Sequence, residues 1–167
     1  MPFFKHFSIY IIVLFFALTL FFYLFYLKDP NIHQNLARQT LYFNYYALQN
    51  GIRLSNIKFL AQAEKKHINV IISNGIGLDF NDYGFPVGTR FEHRSANYKL
   101  KTSDCSEIWQ FVLNKLGNRI QTTANKDEFW TESKSNSCFY YSPVYIDEFI
   151  VYNPLSGKVH LSSKINN

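Results

Sequence analysis

The sequence predicts an α+β protein: an N-terminal transmembrane helix, an amphipathic helical extension packed on a small antiparallel sheet, and a short helix between strands. Three observations predict it. Phe7 to Leu27 is an unbroken apolar run without a charge. Between Leu41 and Phe59, apolar side chains recur at alternating steps of four and three. In the C-terminal third, short aromatic and β-branched runs alternate with turn-forming residues.

The apolar run FSIYIIVLFFALTLFFYLFYL is bounded by Lys5-His6 and Lys28-Asp29. At about 1.5 Å per residue, 21 residues of helix cover the ~30 Å hydrocarbon core of a bilayer. A lone span must be helical there, because no water meets the backbone polar groups. Tyr10, Tyr23 and Tyr26 lie toward its ends, where amphipathic rings suit the headgroup layer. The run is long for a signal-peptide core and closes on Phe25-Tyr26-Leu27 rather than on small residues, so an uncleaved anchor is expected. A buried core helix is the alternative, opposed by the lack of any polar face. The expected division is a cytoplasmic tail (1–6), the transmembrane helix (7–27), the helical extension (28–66) and an α+β domain (67–167).

The extension carries Leu41, Tyr45, Leu48, Ile52, Ser55 and Phe59 on one helical face. Pro30 suits a first helical turn or a kink, and Gly51 weakens the middle. The stripe has two readings: it covers the domain's own sheet, or part of it packs on a partner helix. Beyond it, His67–Asn74 alternates as a half-buried strand and Asn74-Gly75 signals a turn. Residues 77–91 are dense in turn formers. Asp104 fits a helix N-cap with Glu107 three residues on; Cys105, Trp109, Val112 and Leu116 then share a face, and Gly117 fits the position past the end. Strands are expected near 128–132, 137–142, 147–152 and 157–162, the last two joined through Asn153-Pro154-Leu155-Ser156-Gly157. The aromatics of this region, Phe129 to Tyr152, are read as core filling.

Two cysteines, Cys105 and Cys138, both follow the apolar run. An even count in a domain held outside the cytoplasm suggests a single disulfide, with two unpaired buried thiols as the alternative. That reading favours an N-in, C-out topology more than the flanking charges do, since Lys28 balances Lys5. The net charge of +5 is scattered among acidic residues, so nucleic acid is not an expected partner.

The sequence offers little for catalysis. Asp79-x-Asn81-x-Tyr83 resembles the opening of a calcium loop but lacks oxygen ligands at Tyr83 and Arg90. Gly75-Ile76-Gly77 leads to Phe80 where a dinucleotide fingerprint needs glycine. The five histidines stand far apart without ligand spacing. No enzyme activity, metal, cofactor or small-molecule substrate is expected.

The arrangement resembles type IV pilin-type proteins, and more narrowly the biogenesis proteins of the mannose-sensitive haemagglutinin (MSHA) pilus. The residues that carry the resemblance are Leu78-Asp79-Phe80-Asn81-Asp82-Tyr83-Gly84-Phe85-Pro86-Val87-Gly88, Cys105-x-x-x-Trp109, Cys138-x-Tyr140 and Ile150-x-Tyr152-x-Pro154-x-x-Gly157-x-Val159. Their order spans most of the chain after the anchor. Lys5-His6-Phe7 lacks the prepilin cleavage glycine, and no acid precedes Asp29, so processing by prepilin peptidase is not expected. The resemblance therefore implies a single-pass inner-membrane accessory protein with a pilin-like periplasmic domain and pilus assembly proteins as partners. The alternatives are a minor fibre subunit and a membrane-anchored ligand-binding or sensor module. Candidate partner contacts are Leu41, Leu48, Ile52 and Phe59 on the stripe, and Tyr83, Phe85 and Pro86 in the loop.

Overall fold

The computed structural model describes residues 3–28, 30–61, 77–89, 98–113 and 128–164. It divides into two compact units, Met1–Leu36 and Ala37–Asn167. The expected strand over 67–74, the turn at 74–75, the end of the extension at 62–66, and Arg90, Leu116 and Gly117 lie outside the described residues.

The architecture is α+β, as expected: the described residues form three helices and two small antiparallel sheets. The helices are α1 (Phe3–Lys28), α2 (Pro30–Ala61) and α3 (Thr102–Val112). Strands β1 (Asp79–Phe80) and β2 (Pro86–Gly88) pair with each other. Strands β3 (Trp130–Lys134), β4 (Ser137–Tyr141), β5 (Glu148–Asn153) and β6 (Lys158–Ser163) form a meander in sequence order. Pro30 opens α2, where its missing N–H costs nothing.

In α1 the described side chains run from Tyr10 to Leu24 and are exposed throughout. Among the described residues no helix is long and apolar enough to cross a membrane; those fifteen positions cover only about 22 Å at the helical rise. Thr19 turns its hydroxyl back onto the carbonyls of Phe15 and Phe16, at 3.0 and 2.9 Å.

The second unit is built on the four-stranded meander. Ser135 and Asn136 both take positive φ, the geometry that a two-residue hairpin turn between β3 and β4 demands. Strand alternation then sorts the side chains. Cys138 and Tyr140 of β4 share one face with Ile150 and Tyr152 of β5 and Val159 of β6. Trp130, Phe139, Tyr141 and Phe149 occupy the other face, with Trp130 and Tyr141 stacked at 4.0 Å. The aromatics expected to fill one core are therefore divided between two faces, because consecutive residues of a strand point opposite ways.

Helices α2 and α3 contribute to the core on the Cys138–Tyr140 face. Leu41, Leu48 and Ile52 from α2 join Cys105, Ile108 and Trp109 from α3 in one buried cluster. The Trp109 ring lies 4.8 Å from Tyr140 and 5.4 Å from Phe129, centroid to centroid. Gly51 lies directly against α3: a Cβ there would strike Val112. The glycine that weakens α2 as a helix thus lets α3 pack against it. Phe59 belongs to a second, smaller cluster with Leu78, Phe80 and Phe111.

The N-terminus of α3 departs from the sequence expectation. Lys101 is the N-cap, and Asp104 stands three residues inside. Its carboxylate accepts the Lys101 backbone N–H at 2.8 Å and the Tyr98 hydroxyl at 2.8 Å. An acid in the first turn also meets the positive end of the helix dipole. Glu107, expected to complete the cap, instead accepts both the N–H and the hydroxyl of Thr89, tying the end of β2 to α3.

Cys105 and Cys138 are bonded, with Cα atoms 5.4 Å apart, and join α3 to β4. Next to the bridge, the buried Tyr140 hydroxyl donates to the Cys105 carbonyl at 3.1 Å. Tyr152, also buried, donates to the Pro86 carbonyl at 2.9 Å and holds β2 over the sheet.

Two predictions follow from this core. Replacing both cysteines by serine is expected to lower stability by about 3–4 kcal/mol, the loop-closure contribution for a separation of this size, read from urea unfolding. The second concerns alkali. Burial pushes the Tyr140 and Tyr152 phenols far above their ordinary range. Their raised values mean the native state keeps protons that the unfolded chain releases. Stability should be flat up to about pH 10 and then fall by about 1.4 kcal/mol per pH unit for each tyrosine, in unfolding midpoints taken from pH 8 to 12.

Candidate functional site

Asn81 organises the loop that the sequence singles out. Its side-chain oxygen accepts the backbone N–H groups of Tyr83 and Phe85 at 3.1 and 3.0 Å. Its amide donates to the buried Pro154 carbonyl at 2.9 Å, so the β1–β2 turn is fastened to the β5–β6 turn. The Asp-x-Asn-x-Tyr segment is a tight turn. Among the described residues, no group of three or more His, Cys, Asp or Glu side chains is placed to hold a metal ion.

Gly84 follows with φ of 79°, a conformation that L side chains rarely adopt. Its carbonyl accepts the Asn56 side-chain amide at 2.8 Å, which binds the loop to α2. Phe85 is half-buried against the main core cluster, and a Cβ at Gly157 would strike its ring. Pro86 is fully buried. Tyr83 is the one member of the trio that stands out, 57 % exposed.

The stripe on α2 has a definite place. Leu41, Leu48, Ile52 and Phe59 are all buried inside the unit that contains them. Their role as partner contacts is corrected accordingly: the domain's own sheet and α3 already cover them, as the first reading of the stripe expected. Pro86 is corrected for the same reason. Tyr83 remains a candidate, and Phe85 offers only the edge of its ring.

That edge forms one wall of a shallow cleft of about 300 Å³. Gln49, Arg53 and Asn56 of α2, Ile52 beneath them, and Gly157, Lys158 and Val159 at the start of β6 complete it. Two cations, two amides and an apolar wall are suited to a carboxylate attached to an apolar group. Sequence reading missed this cleft because its residues come from three separated segments.

A second exposed feature lies in the β4–β5 connection, where Val144 and Ile146 are half-exposed or more. It stands beside a polar junction with α2. Arg38 approaches Glu148 at 3.8 Å and lies 5.4 Å from the centre of the Tyr42 ring, and the Tyr42 hydroxyl reaches Glu148 at 3.5 Å. Arg38 is half-exposed while the Glu148 side chain is mostly buried, so the junction anchors the start of β5 against α2.

No family model, curated protein or solved structure matches the chain.

The turn-to-turn fastening gives a prediction. Asn81→Ala strands the buried Pro154 carbonyl and the Phe85 N–H. It should cost about 1–3 kcal/mol in urea unfolding and expose the 81–86 loop to limited proteolysis before the rest of the domain.

Proposed function

We propose that this chain is a single-pass inner-membrane accessory protein that helps assemble or anchor an MSHA-type type IV pilus through protein–protein contacts. In this reading α1 spans the membrane, N-in, and the disulfide-bonded domain lies in the periplasm. The observation that carries the membrane part is the composition of α1, a helix of 26 residues whose Phe7–Leu27 stretch is free of charge. At about 1.5 Å per residue such a helix reaches ~39 Å, more than a hydrocarbon core needs. Its exposed Phe, Leu and Ile side chains would be a large unpaired apolar surface in water. Thr19, bonded to its own backbone, leaves no hydroxyl unanswered in lipid.

The pilus part is supported by the order of the motifs that resemble MSHA biogenesis proteins. Each falls on a defined element: 78–88 on the β1–β2 turn, Cys105 and Trp109 on α3, Cys138 and Tyr140 on β4, and 150–159 on the β5–β6 hairpin. With the α2 stripe buried, the contacts to partners pass to Tyr83 and to Val144 and Ile146, all exposed. A minor pilin-like subunit is distinguished by where the protein goes. A second reading, an anchored ligand-binding or sensor module, is favoured by the cleft between Arg53 and Lys158.

Photocrosslinking in cells from Tyr83 and Ile146, with mass spectrometry of what is captured, tests the reading. Capture of inner-membrane pilus assembly proteins, in a protein that resists carbonate extraction, is the expected outcome. Recovery in sheared filaments would make it a fibre subunit. Release by carbonate would falsify the anchor.

A further inference from the structure

Helix α2 is apolar on two sides. Opposite the buried stripe, Phe43, Tyr46, Leu54 and Ile57 are exposed at 71, 55, 59 and 51 %. At about 100° per residue these four fall within roughly 80° of arc, a second stripe on the outer face. Leu60, 61 % exposed, extends it in the last turn. Each of these side chains is more than half exposed, and five large apolar groups in one stripe exceed the scattered exposure that a soluble surface carries.

The charges around the stripe indicate what covers it. Helix α2 contains Arg38, Arg53 and Lys58 and not one acidic residue. Arg38 is answered by Glu148. Arg53 and Lys58 are exposed and stand on the two edges of the arc formed by Phe43, Tyr46, Leu54 and Ile57, one on each side. Apolar centre and cationic margins are the pattern of a helix lying in an anionic bilayer surface, where long basic side chains reach up to the phosphates from both flanks. Asn50, at the middle of the stripe, is exposed; the hydrated headgroup layer solvates an amide that a dry protein seam would have to pair. Packing against a second, parallel copy is disfavoured by the same charges, since the Arg53 edge of one helix would face the Lys58 edge of the other.

We infer that the outer face of α2 is a docking surface for anionic phospholipid, with Phe43, Tyr46, Leu54 and Ile57 entering the headgroup–acyl boundary and Arg53 and Lys58 on phosphate. The inference rests on the membrane reading of α1, which brings the chain to a bilayer, but it concerns a separate surface. Docking by this face lays α2 along the bilayer, with its buried stripe and the sheet on the aqueous side.

The test uses the full chain reconstituted alone in vesicles of phosphatidylethanolamine with phosphatidylglycerol. A spin label is placed at Ile57→Cys and, in a second preparation, at Phe15→Cys; both native cysteines are already paired. Collision with oxygen and with a water-soluble nickel chelate reports where each label lies. The expected result is oxygen access and nickel protection at both sites, with the site at 57 becoming nickel-accessible in vesicles of phosphatidylcholine alone while the site at 15 does not change. Arg53→Gln with Lys58→Gln should shift the docked-to-free ratio at 57 by about 30-fold, given the attraction of two cations to an anionic surface. Both positions are exposed, so the unfolding midpoint should stay unchanged.

Nickel access at 57 in the anionic vesicles, with 15 protected, overturns the inference and leaves the anchor standing. Spin–spin coupling at 57 overturns it in favour of a second copy. Protection at 57 with nickel access at 15 supports the docking surface and removes the anchor. Nickel access at both removes both.

Discussion

Two different bonds, side by side, tie α3 to the second strand of the sheet. The Cys105–Cys138 bridge fixes the first turn of α3 to the start of β4, and the Tyr140 hydroxyl, two residues along the same strand, closes on the Cys105 carbonyl. Much of the second unit is arranged around that junction. It sets the depth of Trp109 between Tyr140 and Phe129. It also places Val112 where α2 must approach without a side chain at Gly51. Thr89, held by Glu107 of the same helix, brings β2 within reach of Tyr152. A covalent bond restricts the unfolded chain, while the tyrosine bonds reward only the native arrangement. The two together make a small core specific as well as stable.

Around this core, α2 serves two environments at once. Its inner face is committed to the sheet, with Leu41 and Leu48 fully buried. Its outer face carries five exposed large apolar side chains and is margined by cations. A helix of this kind cannot be judged by its average hydropathy, because each side answers a different solvent. The docking surface inferred for its outer face and the loops proposed for partner contact use different side chains, so each can be altered while the other is left intact.

What could be read from the sequence was local. The 3.6-residue spacing from Leu41 to Phe59 needs only one helix to be visible, and every member of that stripe is buried or half-buried. The strands between Trp130 and Ser163 were legible because turn residues separate them at short intervals. Periodicity says that a face is apolar, not what covers it, which is why those same leucines could be read as partner contacts. The outer stripe escaped notice because Asn50 and Arg53 interrupt it in sequence but flank or relieve it in space. The role of Asn81 was hidden for a stronger reason: its amide is answered by Pro154, 73 positions away. Asp104 misled by its type. An acid at the third helical position and one at the cap look alike until the Lys101 N–H shows which is being satisfied.

The order of elements along the chain has a consequence for biosynthesis. Helix α2 is made before the strands that cover it, and β4 to β6, which supply Tyr140, Ile150 and Val159 to its core, come last. A ribosome delivering the chain N-terminus first at about 5–20 residues per second presents both apolar faces of α2 for several seconds before the meander exists. An oxidant acting in that interval finds Cys105 without its native partner. The newborn chain is therefore most exposed to aggregation while α2 is out and β4 is not, and a lipid surface that receives the outer face of α2 would shelter it through that gap.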